Sequence, residues 1–405
     1  MLMGMFKKYF IYWITILCLT LGLTGLGYAF PTQGPSKQGS FTNLTTDAAT
    51  LTSATPNCCT AMLAANTSYP PLTEERAQKI SNMLESQACA VPNLQVGYSI
   101  ITIPDGRCFS HNGNKQFPLA SVFKVPVLLE VCRQLQEDIL PFNVDKKLTL
   151  KREDLCIGSG TLNESPVGSQ INIDKALNLM ITISDNTATD MLIHLIGAKS
   201  INNFMRSLKL YDNDIFMTNR QAWLICLGEG SVMTSPDPDI VAQTWNNLNQ
   251  KDRWDLAQEV EQANLNLSLA EFQHLEDVSG STYSFTKQRH VAMTVDNQSS
   301  PNDFSNMFSK LWQREILADD WTEYALSILG AQKYNSRIPR YLPKGTPAYH
   351  KTGTISGVVN DSGIIISKRG TPVAVTVFVK NVNSGQDDVA AQVIGKISKI
   401  AWDNL

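Results

Sequence analysis

Apolar and polar positions alternate with a period of two where Leu94, Val96, Tyr98 and Ile100 interleave with Gln95, Gly97 and Ser99. That period predicts a strand, and Pro104-Asp105-Gly106 closes a turn before Arg107-Cys108-Phe109, which makes a hairpin. Ahead of it, Thr73 offers an N-cap with Glu74 and Glu75 in the first turn, where the helix dipole favours anions, and a helix is predicted to about Ser86. The middle of the chain changes period: 127–135, 176–183 and 188–196 carry apolar residues at helical spacing, the last stopped by Gly197. Two β-rich runs, Val358 to Ile366 and Val373 to Val379, flank the turn Lys368-Arg369-Gly370, and Val389, Val393, Ile397 and Ile400 mark the apolar stripe of a closing helix. Strands at both ends with helices between them predict an α+β sandwich. Its antiparallel sheet would be assembled from sequence-distant segments, flanked by the terminal helices and set beside an all-helical lobe.

The first 71 residues follow neither pattern. Lys7 and Lys8 precede an apolar run from Tyr9 to about Gly27, and Gly27 and Ala29 supply small residues where a signal peptidase reads. Residues 1–29 are expected to be a signal peptide or, since the run is long enough to span a bilayer, an uncleaved membrane anchor. The bulky Leu17 before Cys18 argues against a lipidated cysteine. Residues 30–71, rich in Ser, Thr, Pro, Gly and Asn, read as a disordered linker. The body, 72–405, is then expected in the periplasm or secreted, with tethering to the membrane as the alternative.

Composition narrows the function. With 43% hydrophobic residues the chain has ample material for a core, which excludes wholesale disorder. Its 34 basic and 37 acidic side chains leave a net charge of -3, which excludes the basic footprint of a nucleic-acid binder. Beyond Cys18 seven cysteines remain, an odd number without a CxxC pair. Buried or idly paired thiols are expected, with no structural zinc, no other metal and no cofactor. The histidines at 111, 194, 274, 290 and 350 show no partner pattern, and no GxSxG elbow occurs, which disfavours a Ser-His-Asp hydrolase. His194, on an apolar helix, reads as a packed core residue, and His350 as a strand neighbour of Lys351.

Chemistry concentrates in three short motifs. Ser121-Val122-Phe123-Lys124 follows Phe117-Pro118-Leu119-Ala120 at the start of an expected helix, where a three-residue spacing puts hydroxyl and amine on one face. A second match, Ser284-Phe285-Thr286-Lys287, lies in a polar segment with no preceding hairpin and shows how readily this pattern arises by chance. The first is followed in order by Ser184-Asp185-Asn186, in a break between two helices, and by Lys351-Thr352-Gly353-Thr354 before a strand. This ordered set resembles the signature of the class A β-lactamase and penicillin-recognising serine hydrolase family. The likeness extends through GSGTL at 158–162, SQINIDKALNLMITISDNTATDMLIHLIG at 169–197, SSPNDFSNMF at 299–308 and LPKGTPAYHKTGT with VVNDSGIIIS, covering about 73–211 and 299–405.

The resemblance implies a two-lobed β-lactamase/transpeptidase-like fold with the site in the groove between sheet and helical lobe. It implies that Ser121 attacks an amide carbonyl, that Lys124 eases loss of its proton, and that the N–H groups of Ser121 and Thr354 hold the oxyanion. Ser184 would pass a proton to the departing nitrogen, with Lys351 raising the positive potential around it. Asn186 would meet the substrate's side-chain amide and Gly353 would let substrate approach the strand closely. The hydroxyls of Thr352 and Thr354 would bind the substrate carboxylate. Arg337 is either an additional cation for that carboxylate or an ordinary surface arginine.

One departure from the family is plain. Class A enzymes deacylate with a loop glutamate followed four residues later by asparagine, and no Glu-x-x-x-Asn follows Ser184. The segment that should hold it, 212–297, reads as a long insertion of polar helices around Trp245, Trp254 and Leu256, with Thr218-Asn219-Arg220-Gln221 near its beginning. Glu229 and Asp237 are the candidate deacylation acids, or else solvated loop acids. The expected function is an exported, monomeric serine hydrolase that β-lactams acylate at Ser121 and that hydrolyses them. The alternatives are a D-Ala-D-Ala peptidase or penicillin-binding protein acting on cell-wall peptide, and a non-catalytic envelope protein that uses the groove for binding.

Overall fold

The half-alternating run after residue 94 becomes a strand buried on both faces, because layers of helices cover the sheet from either side. The computed structural model describes residues 72–214 and 216–405, so the leader and linker expected over 1–29 and 30–71 lie outside the described residues. Its strands are β1 Gln95–Thr102, β2 Arg107–His111, the short β3 Phe117–Pro118, β4 Lys147–Thr149, β5 Gln170–Asn172 and β6 Gln298–Ser299, then β7 Ala348–Ile355, β8 Val358–Ile366 and β9 Pro372–Lys380. The main sheet runs β2-β1-β9-β8-β7 and is antiparallel throughout. Tyr98 of β1 faces His111 on one side and Val377 on the other, so strands far apart in sequence meet within the sheet, as the sequence pattern predicts.

The helices before residue 212 are α1 Glu74–Ala88, α2 Lys124–Gln136, α3 Ile173–Thr182, α4 Asn186–Ile196 and α5 Ala198–Ser207. The insertion adds α6 Asn219–Cys226, α7 Pro238–Asn247, α8 Gln250–Ala263, α9 Leu269–Thr282 and α10 Phe285–Val295, and the chain closes with α11 Pro301–Trp312, α12 Asp319–Gly330 and α13 Asp387–Asn404. The Thr73 hydroxyl accepts from the Arg76 N–H and starts α1, whose Ala77, Ile80, Leu84 and Ala88 form one buried stripe. That stripe and Ala390, Val393, Ile394, Ile397 and Ala401 of α13 pack on one sheet face over Tyr98, Ile100, Val375 and Val377. A larger core joins the opposite sheet face to α2, α3, α4, α5, α11 and α12. Among the described residues no helix is long and apolar enough to cross a membrane.

The segment 212–297 folds into helices, as its sequence suggests, with Trp245 and Leu256 at their centre and Trp254 packed against them. It has its own core of Trp245, Leu256, Val260, Phe272 and Val291, with Trp245 1% and Phe272 0% exposed, closed over Cys156 and Ile157 of the helical lobe. Polar side chains then weld it to that lobe. Asp190 of α4 accepts from the backbone N–H groups of Asn219 at 2.8 Å and Arg220 at 2.9 Å, and so caps α6 from outside. The Arg220 guanidinium donates to the carbonyls of Leu155, Asn264 and Leu267 and lies over the Phe272 ring.

His194 corrects the reading of a packed core histidine. Its Nδ1 lies 2.6 Å from Asp154 Oδ1 and its Nε2 lies 2.5 Å from Glu261 Oε1 on α8. Burial pulls its pKa down, but the hydrogen bonds and charges of the two carboxylates more than offset this and lift it from 6.5 to about 10. A pKa raised on folding contributes stability that is complete below about 6.5 and is lost as pH climbs through about 10. His194→Asn is therefore expected to destabilise the protein by about 3–5 kcal/mol near neutrality, since it strands two partly buried acids. Thermal unfolding from pH 6 to 10 checks this: the gap between variant and wild type must shrink toward the alkaline end.

Candidate active site

The turn that carries Ser121 is pinned from three directions. β3 pairs with β6, with Phe117 opposite Ser299, and the Leu119 N–H donates to the Asn297 carbonyl at 2.8 Å. From β8, Asn360 Nδ2 donates to the Pro118 and Leu119 carbonyls at 2.7 and 3.2 Å. Ala120 sits at φ +46°, a left-handed conformation that costs an alanine roughly 1–2 kcal/mol, and its N–H donates to Asp296 Oδ2 at 2.6 Å. Burial raises the Asp296 carboxyl to about 7, partly offset by the N–H groups of Ala120, Asn297 and Leu119 that it accepts from. Asp296 directly follows α10, so the end of this helical segment holds the residue before Ser121.

Ser121 lies in a 3-10 turn, Ala120–Phe123, and the α-helix begins only at Lys124. Positions 121 and 124 still share a face, because side chains three apart in a 3-10 turn eclipse one another. Ser121 is half-buried, whereas Lys124 is fully buried. Lys124 Nζ donates to the Ser184 carbonyl at 2.7 Å, to Asn186 Oδ1 at 2.8 Å and to Ser184 Oγ at 3.2 Å. Burial lowers its pKa to about 8, and the charges of Asp185 and Asp190 limit the fall.

Ser184 adopts φ +62° at the break between α3 and α4, and this conformation aims its carbonyl and hydroxyl at the two lysines. Lys351 Nζ donates to Ser184 Oγ at 3.1 Å and to the Thr352 carbonyl at 2.8 Å. Its pKa falls well below the ordinary lysine value, first through burial and then through the nearby charges of Lys124 and Arg337. One hydroxyl thus bridges two buried amines. Asp185 caps α4 and also accepts from the N–H groups of Thr161 and Leu162, locking this loop against GSGTL. Asn186 is committed to the protein, with Oδ1 on Lys124 and Nδ2 on the Ile157 carbonyl at 2.9 Å.

The strand side completes the cluster. β7 is an edge strand, with Lys351, Thr352 and Gly353 buried and Thr354 exposed. A Cβ on Gly353 would lie 2.6 Å from the Leu119 carbonyl oxygen and 3.0 Å from Val122 N. The atoms that crowd this position belong to the turn that carries Ser121, from Leu119 and Val122. The Arg337 guanidinium donates to the Gly353 carbonyl at 2.7 Å, to the Asn360 carbonyl at 2.5 Å and to the Thr354 hydroxyl, which sets it against the strand that carries Lys351. Behind it Asp361 accepts from the Ile338 N–H at 2.9 Å and bonds His350 Nδ1, so His350 packs beside Lys351 as expected but serves as a brace for the Arg337 turn.

The candidate deacylation acids are not brought into this cluster by any described contact. Asp237 caps α7 and pairs with Lys287 at 2.7 Å, which holds its carboxyl below the usual range. Glu229 lies after α6, its backbone N–H on the Leu224 carbonyl. Ser284 caps α10, and Lys287 is spent on Asp237, so the second Ser-x-x-Lys match is a surface arrangement. The insertion does reach the site wall through Trp223: a Cβ on Gly158 would meet its ring at 3.0 Å and Asn186 Nδ2 at 2.9 Å. Asp296, Asn360 and Trp223 were missed by sequence reasoning. Only Asn360 left a signal, since it lies inside VVNDSG.

A strained serine turn, a buried lysine three residues on and a serine bridging that lysine to another are the groups that a lysine-assisted serine hydrolase would require. The chain belongs to the β-lactamase enzyme family, whose model matches residues 75–405, and is a β-lactamase-like serine hydrolase. The β-lactamase VEB-1 of Pseudomonas aeruginosa is 23% identical over 343 residues, 82% of this chain and 90% of that protein. Among solved structures, a β-lactamase from Sphaerobacter thermophilus matches with TM-score 0.56 and 23% identity, covering 80% of this chain and 95% of that one. PBP-A matches with TM-score 0.57 and 22% identity, over 82% and 97%, and a mutant of it was solved as an acyl-enzyme complex with penicillin G. These likenesses bear out the α+β fold.

Proposed function

We propose that β-lactams acylate Ser121 and that the protein releases the ring-opened product slowly, acting on such antibiotics in the bacterial envelope, to which the apolar run at 9–27 would direct it. The observation that carries this reading is the Ser184 hydroxyl held between Lys124 and Lys351 at 3.2 and 3.1 Å. In the acylation step the Ser121 oxygen bonds to the lactam carbonyl carbon as its proton passes toward neutral Lys124. The N–H groups of Ser121 and Thr354 hold the oxyanion, and the C–N bond breaks as Ser184 delivers a proton to nitrogen, resupplied from the lysines on either side. Arg337 and Lys351 present the positive groups that meet the substrate carboxylate, with the Thr354 hydroxyl beside Arg337 and Thr352 buried in the same strand. Asn186 fixes Lys124.

Release needs an activated water, and neither Glu229 nor Asp237 has a described contact with the cluster. This favours a second reading, a D-Ala-D-Ala peptidase of the penicillin-binding type, which would use the same groups on a cell-wall peptide. A chromogenic cephalosporin separates the two. A burst equal to the enzyme concentration followed by sustained turnover supports slow hydrolysis, and stoichiometric labelling without turnover supports the peptidase. Absence of any labelling would refute both and leave a non-catalytic binding protein.

A further inference from the structure

On the sheet face opposite the catalytic groove, the end of α1 meets β2 through side chains suited to holding a metal. Glu85 and Cys89 stand one helical turn apart, at the last turn and C-cap of α1, so they share a face. His111 ends β2, and the ring of Tyr98, its partner in β1, stacks against it with centroids 5.9 Å apart. Glu85 Oε2 lies 2.9 Å from His111 Nδ1, and Cys89 Sγ lies 3.7 Å from Glu85 Oε1. One donor atom from each of the three residues falls within 4.8 Å of the others. Tetrahedral zinc with ordinary bond lengths spaces its donor atoms by about 3.3–3.6 Å, so small side-chain movements convert this cluster into a ligand set.

We propose that Glu85, Cys89 and His111 bind one divalent transition-metal ion, Zn2+ by their chemistry, with water completing the tetrahedron. A thiolate, an imidazole and a carboxylate together select such an ion over the hard Mg2+ or Ca2+. Binding breaks the Cys89 S–H bond and releases that proton to solvent as the S–metal bond forms. The Glu85 and His111 side chains are 50% and 25% exposed and Cys89 is exposed, which leaves a path for ion and water. The ion cross-links the first helix to the edge of the sheet, so it stabilises the terminal-helix layer by mass action. Sequence spacing hid the site, because Cys89 and His111 lack a metal-binding interval and the nearer Cys108 projects to the other face, toward Ser99.

The test uses the full-length reduced protein stripped with EDTA and titrated with Co2+. One equivalent is expected to produce a thiolate-to-cobalt charge-transfer band that Cys89→Ser abolishes. Glu85→Gln and His111→Ala should each weaken binding by about tenfold or more, since losing a ligand costs no less than losing its outer-shell partner. Zn2+ should raise the unfolding temperature of wild type and leave that of Cys89→Ser unchanged. Covalent labelling by penicillin, the same in all variants as in wild type, reports that each is folded. No band in wild type, or a band that survives Cys89→Ser, overturns the proposal.

Discussion

Lys124→Ala is expected to slow acylation of Ser121 by benzylpenicillin about 10^2- to 10^4-fold, the usual contribution of a positioned proton acceptor. The amine is fully buried and its pKa is drawn down to about 8, so a useful fraction is neutral near physiological pH. The sign of the pH dependence follows. An ammonium cannot accept the Ser121 proton, so the wild-type acylation rate should rise as pH climbs through about 8, and the variant should lose that inflection. Single-turnover acylation rates from pH 6 to 10 measure both effects. An inflection that persists in Lys124→Ala would assign the titration to another group.

Gly353→Ala should be the second most damaging single change, and it acts through backbone. The added Cβ would meet the Leu119 carbonyl oxygen at 2.6 Å, far inside contact distance, and that oxygen is already held by Asn360. That oxygen and Val122 N, at 3.0 Å, are both backbone atoms and cannot swing aside. The strand must therefore move away from the serine turn, which carries the Thr354 N–H out of range of a developing oxyanion. Loss of one such donor costs about 10^2- to 10^3-fold in rate, and overpacking costs about 1–3 kcal/mol in stability. Acylation kinetics beside thermal unfolding separate the two, and a variant that acylates at the wild-type rate would show that the strand does not form the oxyanion pocket.

Local periodicity carried most of the fold. α1, the β1–β2 hairpin and α13 could be read because an apolar stripe and its cap lie within a few residues of each other. The three motifs were legible in the same way, and their order supplied the family. What the sequence hid is long-range. Asp296 reaches Ala120 across 176 positions, and His194 finds Asp154 and Glu261 at separations of 40 and 67. No periodicity encodes such pairs. The insertion looked polar because its helices bury narrow stripes, with Phe272 alone buried in α9 and Leu256, Ala257 and Val260 in α8, so its core exists only once the helices are assembled. The 3-10 turn at Ser121 was hidden because the bonds that impose it come from β6, β8 and Asp296.

Intact-mass spectrometry with benzylpenicillin tests the nucleophile and the fate of its adduct together. After brief exposure wild type should gain the mass of one intact penicillin and Ser121→Ala none. After the free drug is removed and incubation is prolonged, the wild-type adduct should decline slowly to the unmodified mass. An adduct of equal size on Ser121→Ala, or a wild-type protein that never gains mass, would contradict the account.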